Sequence, residues 1–135
     1  MQLTDKWTSN PTVSPDGSLV ACWYRDDEQP NTPIKVAIIP FAGGDPVKVL
    51  DLPRPSFTRA AGLRWAPDGR AVTYIDTING VSNIWSLPLD GGPPKQLTDF
   101  KTDQIFWFDF SHDGKQLALS RGTQTSDVIL IRDFR

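Results

Sequence analysis

Apolar and polar residues alternate along most of this chain in short runs with a period of two, the pattern of half-buried β-strands, and no stretch carries a helical period. Three such runs stand out: SLVACWYR (18–25), RAVTYIDT (70–77) and KQLALSRG (115–122). Each follows a turn tetrapeptide: SPDG (14–17), APDG (66–69) or SHDG (111–114). In SPDG, proline presets φ at the second turn position, aspartate tolerates the third and glycine closes the turn. A further apolar run follows in every case: IKVAIIPF (34–41), NIWSLPL (83–89) and DVILIRDF (127–134). Asn79-Gly80 predicts the hairpin joining the second and third strands of the middle copy.

The first two copies continue as AGGDPVKVLD (42–51) and DGGPPKQLTD (90–99), with Pro40 and Pro88 in step and their Gly-Gly pairs likewise. The third copy reaches Arg135 without such a continuation, while the QLTD of 96–99 occurs again at 2–5. Each unit therefore predicts a four-stranded antiparallel meander, one strand before the tetrapeptide and three after it. Repeats of roughly 45 residues with four strands each are the signature of a β-propeller. The predicted fold class is all-β, with one propeller segment over 1–135. Within it, 2–5 is an outer strand completing the last blade, 6–51 is blade 1, 52–99 is blade 2, and 100–135 is blade 3 without its outer strand.

The succession of SPDG, an apolar strand and NIWSLPLDGGPPKQLTD resembles the Pro-Asp repeat of TolB-type propellers, which also occurs in the propellers of prolyl oligopeptidase-like enzymes. His112 departs from the usual proline and Ala66 from the usual serine, but both copies keep the Asp-Gly pair. The ending SDVILIRDFR resembles the C-terminus of propeller domains appended to bacterial membrane-linked kinases and winged-helix regulators. That resemblance implies the terminal part of a longer sensor or regulator, with Met1 an artificial start and the periplasm a possible compartment.

Composition narrows the function classes. The chain is long enough for one ordinary domain with a real core. Net charge is −2, pI is about 5.2, and lysines and arginines are scattered singly, so the basic footprint of a nucleic-acid binder is absent. Glu28 is the only glutamate, and the aspartates concentrate where turns need them. Cys22 stands alone inside LVACWY, which excludes an internal disulfide and predicts a buried strand thiol. No apolar stretch approaches the ~20 residues of a membrane span, and the opening MQLTDKW shows no basic segment followed by an apolar core. The expectation is a chain that is soluble and unexported as given.

Candidate chemistry is sparse. A serine-hydrolase triad needs a general base, and the one histidine, His112, lies in a turn; no GxSxG is present. Asp109, His112 and Asp113 cluster in DFSHD but are too few for a metal site, so neither metal nor cofactor is expected. Asp26, Asp27 and Glu28 form the densest acidic run, read as a solvated loop tip or a weak site for a cation or basic partner. In IFWFDF (105–110), alternation predicts Phe106, Phe108 and Phe110 on one sheet face and Trp107 on the other. Trp7, Trp23, Trp65 and Trp85 are expected in the core.

Inner strands of a propeller start near the central channel, which singles out residues 8–10, 59–61 and 102–104. Arg59 is the foremost candidate, because a guanidinium at a concave mouth forks onto a carboxylate; an exposed arginine after Pro55 is the structural alternative. Asn10, Asp103 and Gln104 complete the set of candidate contacts for a protein, peptide or small ligand. The expected function is a non-enzymatic binding or scaffold module, the alternatives being an accessory propeller of an oligopeptidase-like hydrolase or a purely self-assembling fragment. Three blades leave two apolar faces to cover. A homodimer of six blades is therefore expected, with Gln2, Leu3 and Thr4 as an assembly strand in trans.

Overall fold

A computed structural model of the protein describes residues 2–26, 31–54, 62–130 and 132. It contains strands and turns and no helix among the described residues. The first antiparallel sheet has the order β1 (Trp7–Val13), β2 (Leu19–Arg25), β3 (Lys35–Pro40), β4 (Lys48–Leu50). The second repeats it as β5 (Arg64–Trp65), β6 (Ala71–Ile78), β7 (Val81–Pro88), β8 (Lys95–Gln96). The third pairs β9 (Gln104–Phe110) with β10 (Leu117–Gly122).

The tetrapeptides make one turn three times. The glycine amide donates to the carbonyl of the first residue at 2.9 Å in Gly17, Gly69 and Gly114. All three glycines have φ between 70° and 77°, the left-handed region that a side chain disfavours. The aspartate accepts the amide two positions on, at 3.0 Å from Ser18, Arg70 and Lys115. Where the first residue is serine, its hydroxyl donates to that aspartate at 2.6 Å, in Ser14–Asp16 and Ser111–Asp113. These donors favour the charged carboxylate. The Ser14 hydroxyl and the Ser18 amide hold Asp16 at a pKa of about 2, and Ser111 lowers that of Asp113 likewise. The Asn79-Gly80 hairpin forms as its sequence predicts, with φ of 50° and 79° and Ile78 opposite Val81.

The sheets stack face to face through two clusters. Between the first and second, Trp23, Val36 and Ile38 meet Leu63, Trp65, Val72 and Tyr74, with Trp23 and Tyr74 edge to face at 6.2 Å. Between the second and third, Ile75 and Ile84 meet Ile105 and Phe108, with Phe110, Leu117 and Leu119 packed alongside. Asn83 ties the connection between them: its Oδ1 accepts from the Phe100 amide at 2.7 Å and the Thr98 hydroxyl at 2.9 Å, and its Nδ2 donates to the Phe100 carbonyl at 3.2 Å. Arg121 lies 3.7 Å over the Phe100 ring and donates to the Thr102 carbonyl at 2.8 Å, clamping the same connection from β10.

Two expectations are corrected. Phe106 is not on the core face with Phe108 and Phe110. The register shifts between Ser120 and Arg121, so that Trp107 faces Ser120 while Ile105 faces Arg121, and Phe106 is the extra residue of a bulge. A one-residue insertion inverts the alternation beyond it, so Ile105 is buried at 5% and Phe106 is left 42% exposed. The run beginning at Asp127 forms no strand over its described residues, and Val128, Ile129 and Leu130 are exposed. Its only sheet neighbour within the chain would be the edge of β10, whose other face has no covering sheet. Fixing the backbone at ~1–2 kcal/mol per residue then has too little burial to offset it.

Asn83→Ala is expected to strand the Phe100 amide and destabilise the chain by about 1–3 kcal/mol, read by urea denaturation. The pH dependence has a defined sign. Asp16 has a folded pKa of about 2 against about 4 for a free aspartate, so its contribution is present above pH ~4 and lost as pH falls towards 2. An NMR titration of the Asp16 carboxyl checks the value, and Ser14→Ala is expected to raise it.

Candidate functional site on the inner strands

β1, β5 and β9 open the three sheets and lie side by side. The Trp65 indole of β5 donates to the Thr12 carbonyl of β1 at 2.9 Å, and Arg64 of β5 reaches across to β9. Counting back from each turn, Asn10, Gly62 and Trp107 hold one equivalent position, and Thr12, Arg64 and Asp109 hold the position two residues on. Trp107 and Asp109 share one side of β9, while Gly62 immediately precedes β5 and Asn10 sits at the irregularity of β1.

Arg64 organises this surface. Its guanidinium stacks over the Trp107 ring at 4.1 Å, its Nε lies 3.8 Å from the Asp109 carboxylate, and its Nη1 donates to the Leu63 carbonyl at 2.8 Å. The arginine side chain is 19% exposed, so stacking and pairing take place partly out of water, where they are worth more than on an open surface. Gly62 makes the close approach possible: a Cβ there would stand 3.1 Å from Arg64 Nη1 and 3.7 Å from Asn10 Nδ2. Asn10 has φ of 51° at the irregularity between Ser9 and Thr12, which turns it out of the β1 ladder. Trp107 keeps its other face open and is 55% exposed, whereas the remaining tryptophans are buried or half-buried in the core, as expected.

The sequence candidates separate. Asn10 Nδ2 and Arg64 Nη1 both lie beside Gly62. Asp103 lies elsewhere, with φ of 67°, its carbonyl accepting from the Ser82 amide at 3.0 Å and its carboxylate 3.8 Å from Arg121. Gln104 pairs with Gly122 at the start of β9. Arg59 lies outside the described residues, as do Asp27 and Glu28 of the acidic run. Asp26 accepts from the Tyr24 hydroxyl at 3.2 Å. In DFSHD, Asp109 faces Arg64, Asp113 is held by the turn and His112 is exposed, so the three serve separate roles. Cys22 is 2% exposed, and burial pushes its thiol up to about 11, the inert strand thiol the sequence predicts. Leu3 of the assembly segment packs on Cys22, Tyr24, Ala37 and Ile39 of its own chain.

No family model matches the chain. Over 112 residues it is 31% identical to Tricorn protease homolog 1 of Streptomyces coelicolor, matching 83% of this chain and 9% of that protein. Over 86 residues it is 30% identical to the uncharacterised protein Atu1656 of Agrobacterium fabrum, matching 64% of this chain and 27% of that protein. Among solved structures it is similar to a protein of Agrobacterium tumefaciens assigned as TolB, with a TM-score of 0.61 and 25% identity, covering 83% of this chain and 38% of the other. It is also similar to the β-propeller domain of the Trilobed protease from Pyrococcus furiosus, with a TM-score of 0.54 and 20% identity, covering 84% and 34%. The chain thus spans well under half the length of each of these proteins.

Arg64→Ala is expected to leave the sheets folded and to free the Trp107 ring. Iodide quenching of tryptophan fluorescence should rise, with a stability loss of about 0.5–1 kcal/mol.

Proposed function

From the premise that the chain is a TolB-like β-propeller, we propose that it is a non-enzymatic recognition module whose inner-strand surface binds a segment of peptide or protein. The observation that carries this reading is Trp107, open on one face and held from the other by Arg64, with the Asp109 charge beside it. An indole fixed in this way offers contact area at little entropic cost, and tryptophan and arginine are the residue types that concentrate binding energy in interfaces. Asp109 is suited to accept a peptide N–H. Arg64 Nη2, which donates to no described residue, is suited to donate to a carbonyl or carboxylate. A small apolar ligand would find no use for this pair of charges.

A second reading draws support from the likeness to a tricorn protease homolog and to the propeller domain of the Trilobed protease: an accessory propeller that controls access to a catalytic part elsewhere. In both readings the chemistry asked of this chain is binding.

Peptide display against the immobilised protein is expected to enrich sequences with a common core. Trp107→Ala should weaken the selected peptides at least tenfold, about 1.4 kcal/mol, with an unchanged melting temperature. Failure to enrich any sequence, or binders indifferent to Trp107→Ala, would falsify the proposal.

A further inference from the structure

The segment 2–4 occupies the place of an outer strand that belongs to a blade before blade 1. β4 defines that place. Leu50 of β4 packs on the cluster between the first and second sheets and lines a groove with Leu87, Gly91 and Gly92 of the second. Leu3 repeats the arrangement one blade earlier: it packs on Cys22, Tyr24, Ala37 and Ile39, and its carbonyl accepts from the Gly44 amide at 3.3 Å. The two surfaces share equivalent positions. Cys22 and Tyr74 each follow the start of their turn by eight residues, and Ile39 and Leu87 precede the matched Pro40 and Pro88. Gly43-Gly44 and Gly91-Gly92 follow those prolines at equal distance. Yet residues 2–4 join no sheet, while the exposed run 127–130 follows a sheet that has two strands among the described residues.

The β7–β8 joint gives the register in which these two pieces fit. There Gln96 faces Trp85, the Leu97 amide donates to the Ile84 carbonyl at 2.8 Å, and Thr98 Oγ1 accepts from the Ile84 amide at 2.9 Å. The Thr98 hydroxyl and the Phe100 amide then converge on Asn83 Oδ1. Laying QLTD (2–5) on QLTD (96–99) and DVILIRDF on NIWSLPL puts Gln2 opposite Ile129 and the Leu3 amide on the Val128 carbonyl. The Thr4 hydroxyl falls between the Val128 amide and the Asp127 carboxylate, and Lys6 takes the place of Phe100. Asp127 thus stands where Asn83 collects two donors, and as a carboxylate it also meets the Lys6 charge.

We propose that a second copy of this chain supplies the missing blade, so that residues 2–4 of each protomer form the outer strand of the other's last sheet in this register. The pairing orders 127–130 and sets the edge of the third sheet beside the blade 1 flank on which Leu3 packs. Two such joints around a two-fold axis close a ring of six blades. The inference stands apart from the peptide-binding reading, because assembly is read by mass and cross-linking and needs no ligand.

Light scattering on the unmodified protein is expected to give about 30 kDa, twice the 15.0 kDa chain. The double variant Gln2→Cys, Ile129→Cys is expected to oxidise to a covalent dimer on a non-reducing gel, while Asp127→Ala shifts the monomer–dimer equilibrium at least tenfold towards monomer. A mass of 15 kDa, a disulfide formed within one chain, or a dimer that does not cross-link would each overturn the proposal.

Discussion

Two-sided burial is the constraint on which the rest of this structure depends. Every residue from Val20 to Tyr24 in β2 and from Val36 to Ile39 in β3 is buried, so the central strands of the first sheet are apolar on both faces. An antiparallel sheet that packs on one side only would show alternation there. A sheet of this kind must sit between two covers. The second sheet supplies one, and on the other side Leu3 packs on Cys22, Tyr24, Ala37 and Ile39. The inner strands consequently come to lie side by side, and Arg64 on β5 can reach Trp107 on β9 only because the intervening faces are in contact.

The acidity of the chain has a structural origin in part. Asp16, Asp68 and Asp113 each receive the backbone amide two positions on, and two of them receive a serine hydroxyl as well. These carboxylates fix where the chain reverses between the inner strand and its neighbour. Ala66 at the head of the middle turn removes the hydroxyl but not the reversal, because the Gly69 amide and the Asp68 carboxylate remain in place. His112 in the proline position is tolerated for the same reason.

Much of this fold was legible in the sequence because its signals are local. A tetrapeptide that encodes a turn, an Asn-Gly pair that encodes a hairpin and a period of two that encodes a strand need no knowledge of distant contacts, and β1 to β8 follow them. The failures have non-local causes. The bulge at Phe106 depends on how β9 and β10 pair, and a string of alternating aromatics carries no trace of it. The run at 127–130 has the strand pattern, but pattern is not sufficient where no partner lies beside it. Arg64 carries one signal of the site in the sequence, its position two residues before the turn, equivalent to Thr12 and Asp109. What the sequence could not say is that a guanidinium on one blade stacks on an indole of the next.

Among the described residues the apolar interior falls into three clusters with no residue in common: the flank under Leu3, the seam between the first two sheets, and the seam between the second and third. Contacts of this kind make stability a sum of nearest-neighbour terms, as in a one-dimensional array, rather than the property of a single core. Loss of one seam leaves the others formally intact, and amide exchange should then report a gradient along the blades instead of one cooperative unit. In such an array the end units are the weakest members, and anything that joins the two ends converts a fraying row into a continuous cycle.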